Sequence, residues 1–229
     1  MDSKKMDREK IKVVCMGDSI TEGFGLGDDQ SVYYPSVLQE LLGDSYEVFN
    51  KGVSGSCATN TTLSDGRVVG YPYKRQARYH EGLAIKGDIY IVMLGTNDAQ
   101  DGRYDVEEGQ DPCSILIDYE PQFTNTLQSI VDDIRESNDK AQIYIIKPVP
   151  ILNCIWRKHQ QRYLDRLFPH YEEVVQANDN MVLLSAYDAF KSYQDKPLEM
   201  LYQADGLHPN AEGAKLIATI LYKGLKENM

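Results

Sequence analysis

Gly17-Asp18-Ser19-Ile20-Thr21-Glu22-Gly23 places a serine hydroxyl directly behind an apolar run, residues 11–16. A serine between a strand and a helical turn stands at the edge of a sheet, beside backbone N–H groups that the turn leaves unpaired. That position suits a nucleophile whose anionic intermediate needs donors close by. It suits a helix N-cap equally well, and the segment alone does not choose. The G-x-S-x-G nucleophile elbow is absent, because Thr21 stands where its second glycine would fall.

A hydroxyl becomes a good nucleophile only with a base to take its proton. Asp205-Gly206-Leu207-His208-Pro209-Asn210 offers one of the chain's four histidines, with a carboxylate three residues before it. Gly206 allows a turn tight enough for Asp205 to hold one ring nitrogen of His208, leaving the other to accept a proton. An Asx-turn with a capping histidine is the structural alternative. Two further segments hold groups fit to stabilise an oxyanion. Asn50-Lys51-Gly52-Val53-Ser54-Gly55-Ser56 has glycines that permit φ > 0 and a close backbone approach. Gly95-Thr96-Asn97-Asp98 projects the neutral amide donor of Asn97 from a strand end. Each is also an ordinary turn sequence, and neither decides alone.

The elements that must position these groups follow from hydrophobic patterning. Five short runs, 11–16, 46–50, 88–94, 141–147 and 181–185, are rich in Val, Ile or Tyr and nearly continuous in hydrophobicity. That is the pattern of parallel strands covered on both faces. Val32, Val37, Leu38, Leu41 and Leu42 make one helical stripe, closed by Gly43. Phe123, Leu127, Ile130, Val131 and Ile134 make a second, and Ala214, Leu216, Ile217, Ile220, Leu221 and Leu225 a third, N-capped by Asn210. Strands alternating with helices predict an α/β fold, a three-layer αβα sandwich built from βαβ crossovers. In such a sheet ligands gather at the carboxyl ends of the strands. Residues 1–10 read as a solvated N-terminal tail and 11–229 as one domain, without repeat or linker.

A formal net charge of -11 argues against a nucleic-acid partner and against electrostatic attachment to an anionic membrane. No run is apolar and long enough to span a bilayer, and the charged N-terminus lacks the apolar core of a signal peptide. The chain therefore reads as cytoplasmic, or as secreted if a leader has been removed. Cys15, Cys57, Cys113 and Cys154 are scattered without a CxxC pair, which favours buried thiols over a zinc site. Residues 98–120 hold Asp98, Asp101, Asp105, Glu107, Glu108, Asp111, Asp118 and Glu120 with little periodicity. They lack the ligand spacing of an EF-hand and read as a solvated surface loop, or as a rim beside the site.

Taken together, a serine, a glycine, an asparagine and an Asp-x-x-His pair in this order, each at a strand or helix end, resemble the GDSL family, also called the SGNH hydrolases. The resemblance runs from Gly17 to the final helix. Gly17-Asp18-Ser19-Ile20 is similar to the first block, with Ile where the family name has Leu. Gly52-Val53-Ser54-Gly55 matches the second, Gly95-Thr96-Asn97-Asp98 the third, and Asp205-Gly206-Leu207-His208-Pro209 the last. The resemblance implies a five-stranded parallel sheet in flavodoxin-like order, with no metal or cofactor. It implies Ser19 as nucleophile, His208 as base and Asp205 as its orienting group. The implied oxyanion hole is formed by the N–H groups of Ser19 and Gly55 and by the Asn97 side chain.

The expected activity is hydrolysis of a carboxylic ester through an acyl-serine intermediate. Residues 31–42, 51–58 and 205–213 look most like bacterial members that deacetylate carbohydrates, so a small-molecule or carbohydrate ester is the expected substrate. A lysophospholipase or thioesterase acting on longer chains is the alternative within the enzyme class. A non-catalytic carbohydrate-binding protein of the same fold is the alternative outside it. Oligomeric state is not legible.

Overall fold

The computed structural model describes residues 9–59, 61–62, 68–69, 71–99, 112–152 and 161–228, with the backbone alone for 61–62, 68–69 and 112–120. Most of the N-terminal tail read from the sequence lies outside these residues. The five apolar runs form the strands β1 (Ile11–Gly17), β2 (Tyr46–Gly52), β3 (Ile89–Met93), β4 (Gln142–Lys147) and β5 (Met181–Ser185). They make one sheet in the order β2-β1-β3-β4-β5, with every neighbouring pair parallel. This is the flavodoxin-like order.

Helices cover both faces, so each strand sends alternate side chains into two separate cores. Val14, Met16, Tyr90, Val92, Ile143 and Ile145 pack on one face. They meet α3 (Ala77–Ala84), α4 (Pro112–Ser137) and α5 (Gln161–Gln176). Val13, Cys15, Ile89, Ile91, Tyr144 and Ile146 pack on the other. There they meet α2 (Tyr34–Leu42), α6 (Ala186–Lys191) and α7 (Ala211–Glu227). A short helix, α1 (Ser19–Glu22), follows β1. The strand order reverses at β1, which lies between β2 and β3. In such sheets the crevice that takes ligands opens at that reversal, outside the carboxyl ends of the strands.

The helical stripes hold with local differences. Phe123, Leu127, Ile130, Val131 and Ile134 are all buried. Val32 falls in a 3₁₀ turn, Gln30–Val32, and not in α2, because Pro35 near the start of α2 fits a first helical turn. Leu38 and Leu42 are buried whereas Leu41 is exposed, so α2 buries a narrower stripe than its composition implies. On α7, Leu216 and Ile220 are half-buried, and the inner face is Ala214, Ile217, Ala218, Leu221 and Leu225. Asn210 caps this helix, its side-chain oxygen accepting the N–H groups of Glu212 and Gly213 at 3.0 and 3.1 Å.

The acidic stretch at residues 98–120 is corrected at both ends. Asp98 is buried, and from Pro112 onward the chain is helical as the first turns of α4. Residues 100–111, with Asp101, Asp105, Glu107, Glu108 and Asp111, lie outside the described residues, as do the side chains of Asp118 and Glu120. Among the described residues no helix is long and apolar enough to cross a membrane.

Candidate active site

Ser19 is placed by the way β1 ends. A Cβ on Gly17 would lie 2.2 Å from Thr21 Oγ1 and 2.5 Å from the Met93 carbonyl oxygen, so only glycine lets the chain turn here between two strands. Asp18 caps the turn, its carboxylate accepting the Ile20 N–H at 2.9 Å. Ser19 is thereby the first residue of α1, at the carboxyl end of β1.

The base arrives from the other end of the chain. His208 Nε2 lies 2.9 Å from Ser19 Oγ, and His208 Nδ1 lies 2.7 Å from Asp205 Oδ2. With the Nδ1 proton donated to the carboxylate, Nε2 is left to accept from the hydroxyl. The second oxygen of Asp205 accepts the N–H groups of Leu207 and His208, each at 2.9 Å. One carboxylate thus builds the turn and orients the ring. Gly206 sits at its bend with φ +68°, a left-handed conformation that glycine adopts without strain. Burial pushes the Asp205 carboxyl up, but the ring of His208 and the N–H groups of His208 and Leu207 outweigh it and hold the group below the ordinary carboxylate range.

This turn is tied to the loop after α1. Gln203 donates its backbone N–H to the His208 carbonyl at 2.8 Å. Its side-chain amide donates to the carbonyls of Phe24 at 2.8 Å and Pro209 at 3.0 Å. The Phe24 ring lies 4.8 Å from the imidazole, tilted by 38°.

The other two candidate donors meet at the same rim. Residues Val53 to Ser56 form a turn closed by the Ser56 N–H on the Val53 carbonyl at 3.1 Å, with Gly55 at φ +77°. Asn97 donates one amide hydrogen to the Ser56 carbonyl at 2.9 Å, which fixes the amide and leaves its second hydrogen available. Among the described residues, the N–H groups of Ser19 and Gly55 donate to no protein group. Of the sequence-predicted residues, Ser19, His208 and Asp205 are joined by hydrogen bonds, and Asn97 is joined to the turn that carries Gly55.

Asp98 was not singled out by the sequence reading, although it ends the third block. Its carboxylate accepts the N–H groups of Ala58 and Thr59 at 2.9 and 2.8 Å and the Thr59 hydroxyl at 2.7 Å. It thereby fastens the glycine-bearing loop to the segment that carries Asn97. Asp18 is a third buried carboxyl here, beside Asp98 and Asp205. Burial, with a smaller contribution from the charge of Asp98, pushes it up to about 7 against the opposing Ile20 hydrogen bond. Cys15 and Cys57 are buried, while the side chains of Cys113 and Cys154 lie outside those described. Among the described residues no group of three or more His, Cys, Asp or Glu is placed to hold a metal ion.

A parallel sheet of this order, with a serine, a histidine and an aspartate in line at its reversal point, defines a class of α/β ester hydrolases that lack the G-x-S-x-G elbow. The chain belongs to the GDSL-like lipase/acylhydrolase family, whose model matches residues 15–216. It is 29% identical over 222 residues to an acetylxylan esterase from Xylanibacter ruminicola, covering 95% of this chain and 44% of that protein. The chain thus spans less than half the length of that relative. It is 25% identical over 228 residues to the YpmR protein of Bacillus subtilis, covering 96% of this chain and 83% of that one. Among solved structures, a carbohydrate acetylesterase from Sinorhizobium meliloti superposes with a TM-score of 0.68 at 18% identity, over 96% of this chain and 100% of the other. A lipase/acylhydrolase from Enterococcus faecalis gives 0.67 at 22% identity, over 95% and 96%. Both have the fold described above.

Proposed function

We propose that this chain hydrolyses carboxylic esters through an acyl-serine intermediate, with Ser19 as nucleophile, His208 as proton carrier and Asp205 as its partner. The observation that carries this reading is the continuous path from Ser19 Oγ through both ring nitrogens of His208 to Asp205, at 2.9 and 2.7 Å. Ser19 Oγ attacks the ester carbonyl carbon as its proton passes to His208 Nε2, and the imidazolium that forms is stabilised by the Asp205 carboxylate. The carbonyl oxygen becomes an oxyanion, received by the N–H groups of Ser19 and Gly55 and by the second amide hydrogen of Asn97. Collapse breaks the bond to the alcohol, which leaves with the Nε2 proton. Water then attacks the acyl-serine by the same route, releasing the acid and restoring Ser19.

For the substrate we propose a small acyl group, acetyl above all, on a carbohydrate or another neutral alcohol. Two relatives whose names specify acetylated carbohydrates support this. So do two exposed rings at the mouth: Phe24 beside His208, and Tyr71, whose Cδ2 lies 3.5 Å from where a Cβ on Gly55 would stand. Such rings are surfaces on which a sugar can stack. The test is a panel of 4-nitrophenyl esters of increasing chain length alongside acetylated xylose oligomers. We expect kcat/KM to be highest for acetate and to fall with chain length, and acetate to be released from the oligomers. Highest activity on long acyl chains would replace it with a lysophospholipase or thioesterase.

A further inference from the structure

The turn that carries Ser19 and the turn that carries Gly55 are joined by a side chain that the mechanism above does not use. Glu22, the last residue of α1, accepts the Ser54 backbone N–H at 2.7 Å on its Oε2, and the same oxygen accepts the Ser54 hydroxyl. The two backbones also touch. A Cβ on Gly52 would lie 2.2 Å from the Glu22 backbone nitrogen. Asn50 bridges the same place, its amide donating to the Glu22 carbonyl at 3.5 Å while its side-chain oxygen accepts the Gly52 N–H at 2.9 Å.

The chemistry depends on which way the Ser54–Gly55 peptide faces. In a four-residue turn the third residue is near φ +80° in type II and near -90° in type I. The two types differ by a flip of the central peptide, which sends its N–H to opposite faces. Gly55, third in the turn, is at φ +77°, but glycine populates both signs and does not itself select one. That flip leaves the Ser54 N–H and hydroxyl in place, so a group that holds them sets where the turn sits against α1.

We propose that Glu22 is a positioning residue for the oxyanion hole: by gripping Ser54 from within the nucleophile's own turn, it holds the turn that carries the Gly55 N–H against α1. Glu22 does not touch the reacting atoms. Asp98 fastens the far end of the same loop at Ala58 and Thr59, so two carboxylates bring all three donors into one frame. Glu22 is the better residue to test, because it is only half-buried whereas Asp98 is fully buried.

This inference rests on the serine reading above, and Ser19→Ala is the control that separates the two. If that variant keeps wild-type turnover of 4-nitrophenyl acetate, the serine reading fails and the inference with it. If it is inactive, the Glu22 variants decide the inference alone. Glu22→Ala in the full chain is then expected to lower kcat about tenfold or more, since an oxyanion donor is displaced, with KM changed by less than about twofold. Glu22→Gln, which keeps an acceptor for the Ser54 N–H, is expected to recover most of that loss. Binding of 1,1,1-trifluoroacetone is expected to weaken in Glu22→Ala by about the factor lost in kcat, because its hemiketal with Ser19 needs the same donors. If Glu22→Ala does not fold, Ser54→Ala replaces it, with a severalfold kcat loss expected. The proposal is overturned by kcat within twofold of wild type in whichever of these alanine variants is assayed, by a loss confined to KM, or by a kcat loss that glutamine does not restore and that leaves trifluoroacetone binding unchanged.

Discussion

The Ser19 hydroxyl and the His208 ring are 189 residues apart in sequence and 2.9 Å apart in space. The first is fixed by the abrupt end of β1, the second by a turn that Asp205 braces just before α7. The sheet and the last helix serve to bring two chain ends to the same rim, and the pairing is as exact as the elements behind it are rigid.

Asp205→Asn tests the orienting role. The amide cannot accept from Nδ1–H while offering the turn the same pair of acceptors, so the ring is expected to adopt the wrong tautomer. We expect kcat to fall on the order of 10³–10⁴ with substrate binding little changed. Steady-state kinetics on 4-nitrophenyl acetate give the answer, and a loss below tenfold would remove Asp205 from the mechanism.

Asn97→Ala removes a donor that matters only once the oxyanion forms. The expected result is a kcat lower by roughly 10²–10³ with KM close to wild type. An increase in KM at constant kcat would mean that Asn97 merely holds the ground-state ester.

Asp18→Asn tests the buried carboxyl through stability. The folded-state value of about 7 lies above the ordinary 3.8, so the folded protein keeps a proton that the unfolded chain releases. The stabilisation from that proton is fully present below about pH 4 and lost as pH rises through about 7. Asparagine does not titrate and keeps the acceptor for the Ile20 N–H. Its stability relative to wild type is therefore expected to rise by a few kcal/mol between about pH 4 and 7 and then level off. Urea unfolding at four pH values measures it; parallel stability curves would show that Asp18 titrates normally.

The parts legible in the sequence are those carried by local patterns at element ends. Asp205-x-x-His208 is a single turn, and Gly17-Asp18-Ser19 a single strand end, so residue types alone point to both. That they meet follows from one rule about parallel sheets. Other parts depend on partners distant in sequence. Asp98 looks like one more acid in a charged stretch, yet it is buried because the N–H groups of Ala58 and Thr59 need an acceptor. Glu22 likewise gains its meaning from Ser54, 32 residues away. Helix α5 is hard to read from the sequence because Pro169 interrupts its pattern and two of its buried residues, Tyr163 and Tyr171, are of a type intermediate between core and surface.

Ser19 Oγ is the proposed acceptor of the acyl group. Diethyl 4-nitrophenyl phosphate phosphorylates an activated serine and stays attached, so intact-protein mass and peptide mapping report the site directly. A single diethylphosphoryl adduct is expected on the peptide containing Ser19, appearing in step with loss of esterase activity and absent in His208→Ala. Full inactivation with the adduct on another residue, or labelled Ser19 with activity intact, would contradict it.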